Sequence, residues 1–593
     1  MESHQVVSVD EKEEISMEEP LILIKRNPDS KGGVRTLPFI IANEAFERLA
    51  SQGIQPNMVI YLTKQYGLSA AEAANVLFLW SAATDFFPIV GAFMADSYVG
   101  RFRMIAFGSL VSLLGMVLLW LTTIIPQARP TTCNQFMCSS EYSATKSQLL
   151  YLYSCFGLMS IGAGGIRSSS IAFGADQIID QKRRNNNDSN NNNAGTLRTF
   201  FSWYYVSTTV SVLGAVSCVV YVQNNWGWKV GFGVPALLML FSAISFFLAS
   251  PFYVIPKANK SLLTGFAQVL VATYKNRDIS LSPCGTNELM YYHIKGSMPK
   301  PSEKLRFLNK ACIIRNPQQD LTQDGRASDP WSICAVNQVE ELKVLIKAIP
   351  IWLAGVFLAV VVNQSSFPVL QATSMNRHIT SNFEVPAGSF SVFSMISMIL
   401  CIVLYDRIII PVLSKIKGKT VSLSLKNRMG IGIFFSCMSM SAAAVVECIR
   451  REMAIKQGFS ENPQGVVSMS AVLWLLPQNM LLGLALGLSS ISQIEFFYSE
   501  LPKTMSSIAS SLFLLGMSVG DLIASLIMST VDDISKRGNQ ESWVSSNINK
   551  GHYDYYCWLL AGLSFFNFVY FIVCSKAYGP CQREGSENFD GDQ

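Results

Sequence analysis

Three charged residues in the first apolar stretch of the chain have the types and spacing needed to bind and release a proton. Glu44 and Glu47 are three residues apart, and Glu44 and Arg48 are four apart, so on a helix all three side chains share one face. Two carboxylates beside one guanidinium allow one acid to stay ionised while the other takes a proton. Because a static ion pair would need only one acid, we predict a proton-coupling site at Glu44, Glu47 and Arg48.

A second group of polar residues is spread over both halves of the sequence. Charged side chains are costly inside a bilayer and usually face a cavity or a partner, so Arg167 and Glu495 are candidates for binding a ligand or for pairing with each other in one conformation. Glu495 could equally be a solvated residue at the membrane surface, and Lys347 either snorkels to that surface or faces a cavity. The predicted substrate-binding residues are Arg167, Glu495, Lys347, Asn363 and Gln364.

The charge expected around Arg48 and Arg167 favours an anionic ligand. A guanidinium binds carboxylate or nitrate groups with two hydrogen bonds and cannot be deprotonated, so we predict a net-positive pocket. Neutral hydrogen bonds to a larger organic molecule would come from Asn363, Gln364, Thr208 and Thr209. Asp85 and Asp521 are single acids in otherwise apolar stretches, and for both we expect a structural pairing.

A short polar segment between the second and third apolar stretches has the composition of a latch. It runs from Gly91 to Arg103 and contains Asp96, Gly100 and Arg101. Glycine permits a tight turn, and an aspartate and an arginine can hold neighbouring helix ends together. We predict that Asp96, Gly100 and Arg101 form a gating latch and do not bind substrate.

The elements that must position these residues are membrane-spanning helices. Half of the 593 residues are apolar and 15% are charged, against about a quarter charged in soluble domains. The apolar residues gather in runs of roughly 17–25, the length of a helix that crosses the bilayer. Twelve spans are predicted at residues 37–62, 76–95, 104–125, 148–173, 203–222, 230–250, 343–363, 388–405, 429–449, 466–494, 504–530 and 556–575. Two groups of six predict an all-α membrane protein with the major facilitator fold.

The distribution of Lys and Arg predicts that both chain ends lie in the cytoplasm, because basic residues concentrate on that side. Arg450 and Arg451 fall on the other side and are exceptions. The predicted parts are an N-terminal tail (1–36), a six-helix bundle (37–250), a cytoplasmic linker (251–342), a second six-helix bundle (343–576) and a C-terminal tail (577–593). The Asn-rich run 185–193 is predicted to be a loop. Amphipathic pieces at 261–274 and 302–310 predict a helix on the cytoplasmic face, and whether Cys133 pairs with Cys138 stays open.

Several motifs together resemble one family, the proton-dependent oligopeptide transporters, and in particular its plant nitrate/peptide branch. Glu44-x-x-Glu47-Arg48 resembles the family's ExxER motif, and Asp96-x-x-x-Gly100-Arg101 resembles its cytoplasmic latch. Further similar segments are Gly164-Gly165-Ile166-Arg167, Phe173-Gly174-Ala175-Asp176-Gln177, Arg306-Phe307-Leu308-Asn309-Lys310-Ala311, Val339-Glu340-Glu341-Leu342-Lys343, Tyr405-Asp406-Arg407 and Glu495-Phe496-Phe497-Tyr498. The resemblance extends from about residue 31 to residue 580.

This resemblance implies inward symport driven by protons, with Arg167 facing the tenth-helix acid Glu495. Members of the branch carry nitrate, peptides, plant hormones or specialised metabolites, and membership does not choose among them. The chain departs from the family pattern at Thr208–Ser211, where Ile-Asn-x-Gly is usual, and at Val361–Gln364, where a histidine associated with nitrate binding is missing. Met104 stands where a dual-affinity nitrate carrier has a phosphorylatable threonine. The last two departures argue against nitrate binding and affinity switching by those means.

Other functional classes are less consistent with the sequence. A substrate sensor with little flux would share the fold, whereas a channel would need rings of charge where this chain has single, dispersed ones. The four histidines do not fall in a catalytic constellation, so we predict that the chain is not an enzyme. We expect protons as the coupling ion with no cofactor or metal, a small-molecule substrate, lipid as surroundings, no nucleic acid, and a monomer or weak dimer. The plasma membrane is the expected location. The dileucine-like segment Glu18-Glu19-Pro20-Leu21-Ile22 makes the vacuolar membrane the alternative.

Overall fold

A computed structural model describes residues 32–130, 144–185, 190–255, 262–279, 290–293, 300–322, 327–417, 423–502, 506–538 and 540–579. The first half contains the helices α1 (Leu37–Gln65), α2 (Ala70–Met94), α3 (Arg101–Ile124), α4 (Lys146–Asn185), α5 (Asn190–Gly214) and α6 (Val220–Leu248). The linker contains α7 (Leu262–Lys275) and α8 (Pro317–Asp320). The second half contains α9 (Val336–Val362), α10 (Ser366–Thr373), α11 (Ser391–Leu404), α12 (Ile410–Lys417), α13 (Leu425–Lys456), α14 (Ala471–Ala485), α15 (Ile491–Glu500), α16 (Ser506–Ser535) and α17 (Tyr553–Tyr578).

Ten segments of the described residues are long and apolar enough to cross a membrane. One of them, Thr199–Leu248, has 50 residues, and Gly227 interrupts it with a non-helical φ of 78°, so it is long enough to cross twice. Helix α1 has 29 residues but carries the charges of Glu44, Glu47 and Arg48. Counting α1 and both parts of the long segment gives twelve candidate spans, and the count of twelve stays a prediction.

Four π-helical turns lengthen or join these helices. They are Ala95–Val99 after α2, Ala215–Val219 between α5 and α6, Tyr405–Ile409 between α11 and α12, and Leu486–Ser490 between α14 and α15. A π-turn inserts a residue into the regular hydrogen-bond ladder and is a common cause of kinks. The spans of both halves therefore contain built-in points of bending.

Glycines bring α2, α3 and α4 into close contact. A Cβ added at Gly91 on α2 would lie 2.6 Å from the carbonyl oxygen of Gly164 on α4, and one added at Gly108 on α3 would lie 2.7 Å from that of Gly162. Any larger residue would push the helices apart, because atoms at these distances overlap. This packing fixes the position of Arg167, which follows the same glycine run on α4.

The two halves meet at the end of the molecule that is remote from the linker. Tyr61 and Leu62 at the end of α1 share one buried cluster with Val369 on α10. In the same region strand β1 (Met375–Asn376) pairs in parallel with β4 (Val467–Ser470), and β2 (His378–Thr380) pairs antiparallel with β3 (Phe383–Glu384). The linker contacts the opposite end of α9, so with the predicted topology this conformation is closed towards the outside.

The linker packs onto the start of α9. Val269 and Ala272 on α7 are buried together with Leu308 and Val339. The amphipathic piece predicted at 261–274 is confirmed as α7, whereas the piece at 302–310 forms a 3-10 helix, Arg306–Cys312, and not an α-helix. Lys343 is 4% exposed and donates 2.8 Å hydrogen bonds to Glu340 and to the Ser302 carbonyl, so it ties the linker to α9.

The Asn-rich run 185–193, expected to be a loop, is only partly described. Asn185 ends α4 and residues 190–193 begin α5, which corrects the expectation for those residues, whereas residues 186–189 lie outside the described ranges. Arg450, one of the two exceptions to the expected charge distribution, is completely buried and pairs with Glu447 at 2.7 Å. Cys133 and Cys138 lie outside the described residues.

Candidate functional site

A buried ion pair joins α4 to α1 at the centre of the first half. Arg167 donates from Nε to Glu47 Oε2 at 3.1 Å and from Nη2 to Glu47 Oε1 at 3.0 Å, and Nη2 also donates to Ser51 Oγ at 2.8 Å. The Arg167 side chain is 7% exposed and that of Glu47 is fully buried. Two parallel hydrogen bonds between buried charged groups make this one of the strong kinds of ion pair.

Glu44 takes a different partner from Glu47. Arg48, one turn further along α1, donates from Nε to Glu44 Oε1 at 3.0 Å. Glu44 is buried, whereas 32% of the Arg48 side chain is exposed, and Tyr204 on α5 lies close to both. The proton-coupling residues predicted from the sequence are thus brought together, but as two acid–guanidinium pairs, with Arg167 as the second guanidinium.

Glu495 and Lys347 do not lie beside Arg167 in this conformation. Glu495 is 43% exposed and pairs with Arg428 of α13 at 2.9 Å, whose guanidinium also lies 4.6 Å from the centre of the Tyr405 ring. Lys347 lies over the Tyr578 ring at 4.1 Å. The expected Arg167–Glu495 pair is therefore not formed here, because each residue has a nearer partner within its own half.

A cavity of about 230 Å³ lies between the two halves. Its lining residues are Ser51, Gln52, Gln55, Trp80, Ser81, Thr84, Asp85, Met159, Ala163, Arg167, Asn363 and Met517. They come from α1, α2 and α4 of the first half and from α9 and α16 of the second half. Most polar groups in the wall are neutral amides and hydroxyls, and the charged ones are Arg167 and Asp85.

Three of the four predicted neutral contacts do not line the cavity. Gln364 donates to the Val360 carbonyl at 2.9 Å and accepts from the Tyr556 hydroxyl at 3.2 Å, so it holds α9 against α17. The hydroxyls of Thr208 and Thr209 donate to the Tyr205 carbonyl one turn earlier. Asn363 alone of this set lines the cavity, because it ends α9 where that helix meets the first half.

The cavity does not have the net positive charge predicted from the sequence. Arg167 lines the cavity but is neutralised by Glu47, and Arg48, which does not line it, pairs with Glu44. Asp85 then adds an acid to the wall. A free anion would therefore meet an arginine already satisfied by its own carboxylate, unless that carboxylate were protonated.

The predicted latch holds three helices of the first half together. Arg101 at the start of α3 lies 3.2 Å from Asp96 and 2.8 Å from Asp176 on α4. Gly100 precedes it with φ 86° and ψ 148°, a conformation that residues with a Cβ rarely adopt. The geometry thus joins α2, α3 and α4 at the linker end, as a latch requires, and its role in gating stays a prediction.

Comparison with known proteins assigns the family. The model of the POT family matches residues 102–544. The chain belongs to this family. It is 52% identical over 556 residues to Protein NRT1/PTR FAMILY 1.2 of Arabidopsis thaliana, covering 93% of this chain and 90% of that protein, and 51% identical to Protein NRT1/PTR FAMILY 1.1 of the same plant, covering 93% and 92%.

Solved POT family structures share the fold. The crystal structure of an auto-inhibited POT family peptide transporter aligns with a TM-score of 0.65 at 18% identity, covering 92% of this chain and 98% of that chain. The predicted all-α membrane protein with a major facilitator fold is confirmed, and so is the resemblance to the plant branch of the family. The POT family consists of membrane transporters and not of enzymes, so this chain is a multi-pass membrane transporter.

Two acids of this POT family member, for which the sequence suggested only a structural pairing, lie at or beside the cavity. Asp85 lines the cavity, and Asp521, which is completely buried, accepts a 2.7 Å hydrogen bond from Asn363. Neither was predicted to belong to the site. A signal was present, since neither acid has a basic residue three or four positions away on its own helix, and an acid without such a partner must find one elsewhere.

Proposed function

We propose that the chain is a proton-coupled symporter of small anionic or polar solutes, in which protons are the coupling ion and no other cofactor takes part. The observation that carries this proposal is the buried pair formed by Arg167, which lines the cavity, and Glu47 behind it. The pair lies next to the space where a ligand would bind, so the protonation of one partner changes what the other can hold.

The coupling follows from the chemistry of the pair. While Glu47 is ionised, its two oxygens occupy the guanidinium of Arg167. Protonation removes the negative charge of Glu47, and Arg167, which stays charged at any physiological pH, is then free to bind a carboxylate, nitrate or a similar group. A proton and an anionic ligand therefore bind together, and each favours the other.

The Glu44–Arg48 pair supplies a second acid beside the first. Arg48 is partly exposed, whereas Glu44 is buried. Water can therefore replace Glu44 as the hydrogen-bond partner of Arg48 more easily than it can separate Arg167 from Glu47. Two acids one turn apart on α1 allow the proton to move between them without crossing the apolar core. We assign Glu44, Glu47 and Arg48 to proton coupling and Arg167 to both coupling and ligand binding.

The lining of the cavity supports a small polar or anionic ligand. Gln52, Gln55, Thr84 and Asn363 offer neutral hydrogen-bond groups around Arg167. Nitrate fits this description, and so does an organic anion such as a plant hormone, a peptide or a specialised metabolite. We place the carrier in the plasma membrane, with the vacuolar membrane as the alternative, as a monomer or weak dimer.

Uptake by cells that express the full chain tests the proposal. Nitrate, dipeptides, gibberellin, abscisic acid, jasmonic acid and glucosides are each supplied at an external pH of about 5 and about 8, so that the proton gradient across the membrane differs between the two conditions. Saturable uptake that rises with acidity supports symport. Binding without uptake would favour a sensor, and uptake that ignores the pH difference would contradict proton coupling.

A further inference from the structure

Asp521 on α16 is a buried acid without a cation. Its Oδ1 accepts from Asn363 Nδ2 at 2.7 Å. Its Oδ2 is buried and makes no hydrogen bond of normal length and angle among the described residues, although the Ser81 hydroxyl lies close enough to interact with the carboxyl. The charged group that faces Asp521 is another acid, Asp85 of α2. The other buried acids discussed above, Glu44, Glu47 and Glu447, each pair with an arginine, whereas Asp521 accepts a hydrogen bond from a neutral amide.

This acid lies in the contact between the two halves. Three residues before it on α16, Ser518 donates to the Ala82 carbonyl of α2 at 2.8 Å, and four residues after it, Ser525 donates to Asn75 at 3.1 Å. The Asp521 side chain lies between these two links and is completely buried in this conformation. Moving α2 and α16 apart would break both links and expose it to water.

The groups around Asp521 connect it to the cavity. Ser81 lies close to the Asp521 carboxyl and is four residues from Asp85 on α2, so both face the same side of that helix. Ser81, Asp85 and Asn363 all line the cavity. Asp85 in turn faces Arg167 and Arg48, which are paired with Glu47 and Glu44.

The charged form of Asp521 is unfavourable in this closed arrangement. A buried carboxylate without a cation costs several kcal/mol, one amide hydrogen bond offsets only part of that cost, and the like charge of Asp85 adds repulsion. A protonated carboxyl avoids these costs and still accepts the hydrogen bond from Asn363. The cost disappears when the halves separate, because water then solvates the carboxylate.

We propose that Asp521 is a second proton-binding site, distinct from the Glu44 and Glu47 pairs, and that its proton must be bound before the two halves close over the cavity. The proton comes from the outer solution while α2 and α16 are apart, and the closed contact retains it. The contribution of this proton to transport rests on the proposed symport, whereas the binding of the proton itself does not.

A pH series of carboxyl labelling tests the site in the full-length protein. A hydrophobic carbodiimide reacts with protonated carboxyls, and mass spectrometry of the peptides reports the labelled fraction at Asp521 between about pH 5 and pH 8. Asp278, whose side chain is 83% exposed, is the internal reference. We expect Asp521 to remain labelled at a pH where Asp278 is no longer labelled. Asp85→Asn should lower the proton affinity of Asp521 by about tenfold, because it removes a like charge.

Cross-linking of the closed end is the second measurement, and it requires neither substrate nor labelling of Asp521. The backbone nitrogen of Ala70 lies 3.0 Å from Ser546 Oγ, so cysteines at these two positions report closure. The yield is divided by that of the same cysteine pair in unfolded protein, which removes the pH dependence of the thiol chemistry itself. The corrected cross-link should weaken as the pH rises in the parent protein and become independent of pH with Asp521→Asn, which imitates the protonated side chain. Asp278→Asn should leave the pH dependence unchanged.

The outcomes separate this inference from the proposed function. A labelling profile at Asp521 that follows Asp278, or a cross-link whose pH dependence survives Asp521→Asn, overturns the second proton site even if uptake is driven by acid. The expected labelling and cross-linking results support the site even if uptake proves insensitive to pH, in which case proton-coupled symport fails and the site remains.

Discussion

Arg167 and Glu47 are 120 residues apart in the sequence and are joined by two hydrogen bonds of 3.0 and 3.1 Å. Both belong to the first half of the molecule, on α4 and α1. The pair that we propose responds to a proton is therefore contained in one half, and its Arg167 lines the cavity. Movement of the two halves can expose it to either side of the membrane without first breaking it.

Replacing Glu47 by glutamine should abolish concentrative uptake. The amide cannot ionise, so the proton no longer controls Arg167, while the side chain can still accept a hydrogen bond and keep the fold. Exchange of labelled for unlabelled substrate, which needs no net proton movement, should continue. Accumulation against a gradient and exchange, measured in the same vesicles, check this expectation.

Glu452→Gln is the matched control, because Glu452 is an exposed residue that pairs with Lys456 at the surface. It should leave both accumulation and exchange unchanged. Glu44→Gln should reduce accumulation as Glu47→Gln does. Full accumulation in both the Glu44 and Glu47 variants would remove these residues from proton coupling.

A charge exchange between positions 167 and 47 should recover part of the activity that each single change removes. Arg167→Glu alone or Glu47→Arg alone leaves two like charges in contact in a buried site, which costs several kcal/mol. The double variant restores opposite charges in the same place. Uptake and the amount of folded protein, measured for all three variants, form a double-mutant cycle.

A charge exchange between positions 167 and 495 tests whether Arg167 pairs with Glu495, as the family resemblance implies, in addition to Glu47. Arg167→Glu combined with Glu495→Arg should recover nothing, because Glu495 pairs with Arg428 in this conformation. Recovery with Glu495 as large as that with Glu47 would show that the cross-half pair forms in another conformation and limits transport.

The sequence predicted the positions of the helices better than the contacts between their side chains. Apolar runs and their length indicate spans because every backbone group must be hydrogen-bonded within a bilayer, and the spacing of Glu44, Glu47 and Arg48 places them on one helix face. Which arginine each acid contacts depends on how α1 and α4 are packed. That packing is set by contacts such as Gly108 against Gly162, which no local pattern reveals.

Buried polar residues were the hardest to interpret from the sequence. Arg450 seemed to violate the expected charge distribution, yet it is buried against Glu447 and also donates to the Ile548 carbonyl. Asp521 and Asn363 are 158 residues apart and come together only when the two halves pack. A sequence shows that such residues need partners, and only the tertiary structure supplies them.

Gly100→Ala should destabilise the folded protein by about 1–3 kcal/mol, the usual cost of forcing a side chain into a conformation reserved for glycine. No atom lies within 4 Å of the Cβ that would be added, so the effect reports backbone strain and not a clash. Thermal denaturation in detergent measures it. Gly157→Ala, which also has open space around it but no positive φ, should not destabilise the protein, and an equal loss in both variants would exclude the strain.

Arg450→Met should prevent accumulation of folded protein. Removing one partner of a buried ion pair leaves Glu447 charged and unpaired, which costs about 3–5 kcal/mol. The double variant Arg450→Met, Glu447→Met should recover part of the loss, since two apolar side chains replace two charges. Arg451→Met is the control, because Arg451 is less buried and donates to the Gly551 carbonyl. Comparable losses for Arg451→Met and Arg450→Met, measured by size-exclusion chromatography, would contradict the role of the buried pair.

Competition between anions should reveal the size of the preferred ligand. The cavity offers neutral groups from Gln55 on α1, Thr84 on α2 and Asn363 at the end of α9. A bare nitrate ion is too small to reach them all together with Arg167, whereas an organic anion can bind Arg167 and these groups at once. We therefore expect nitrate in excess to displace a transported organic acid only weakly.

Gln55→Ala should lower the affinity for the organic acid and leave that for nitrate nearly unchanged, because a lost neutral hydrogen bond is worth about 0.5–1.5 kcal/mol. Inhibition curves in the parent and variant proteins check this, and displacement of every transported organic acid by micromolar nitrate would show that the larger ligand is not preferred.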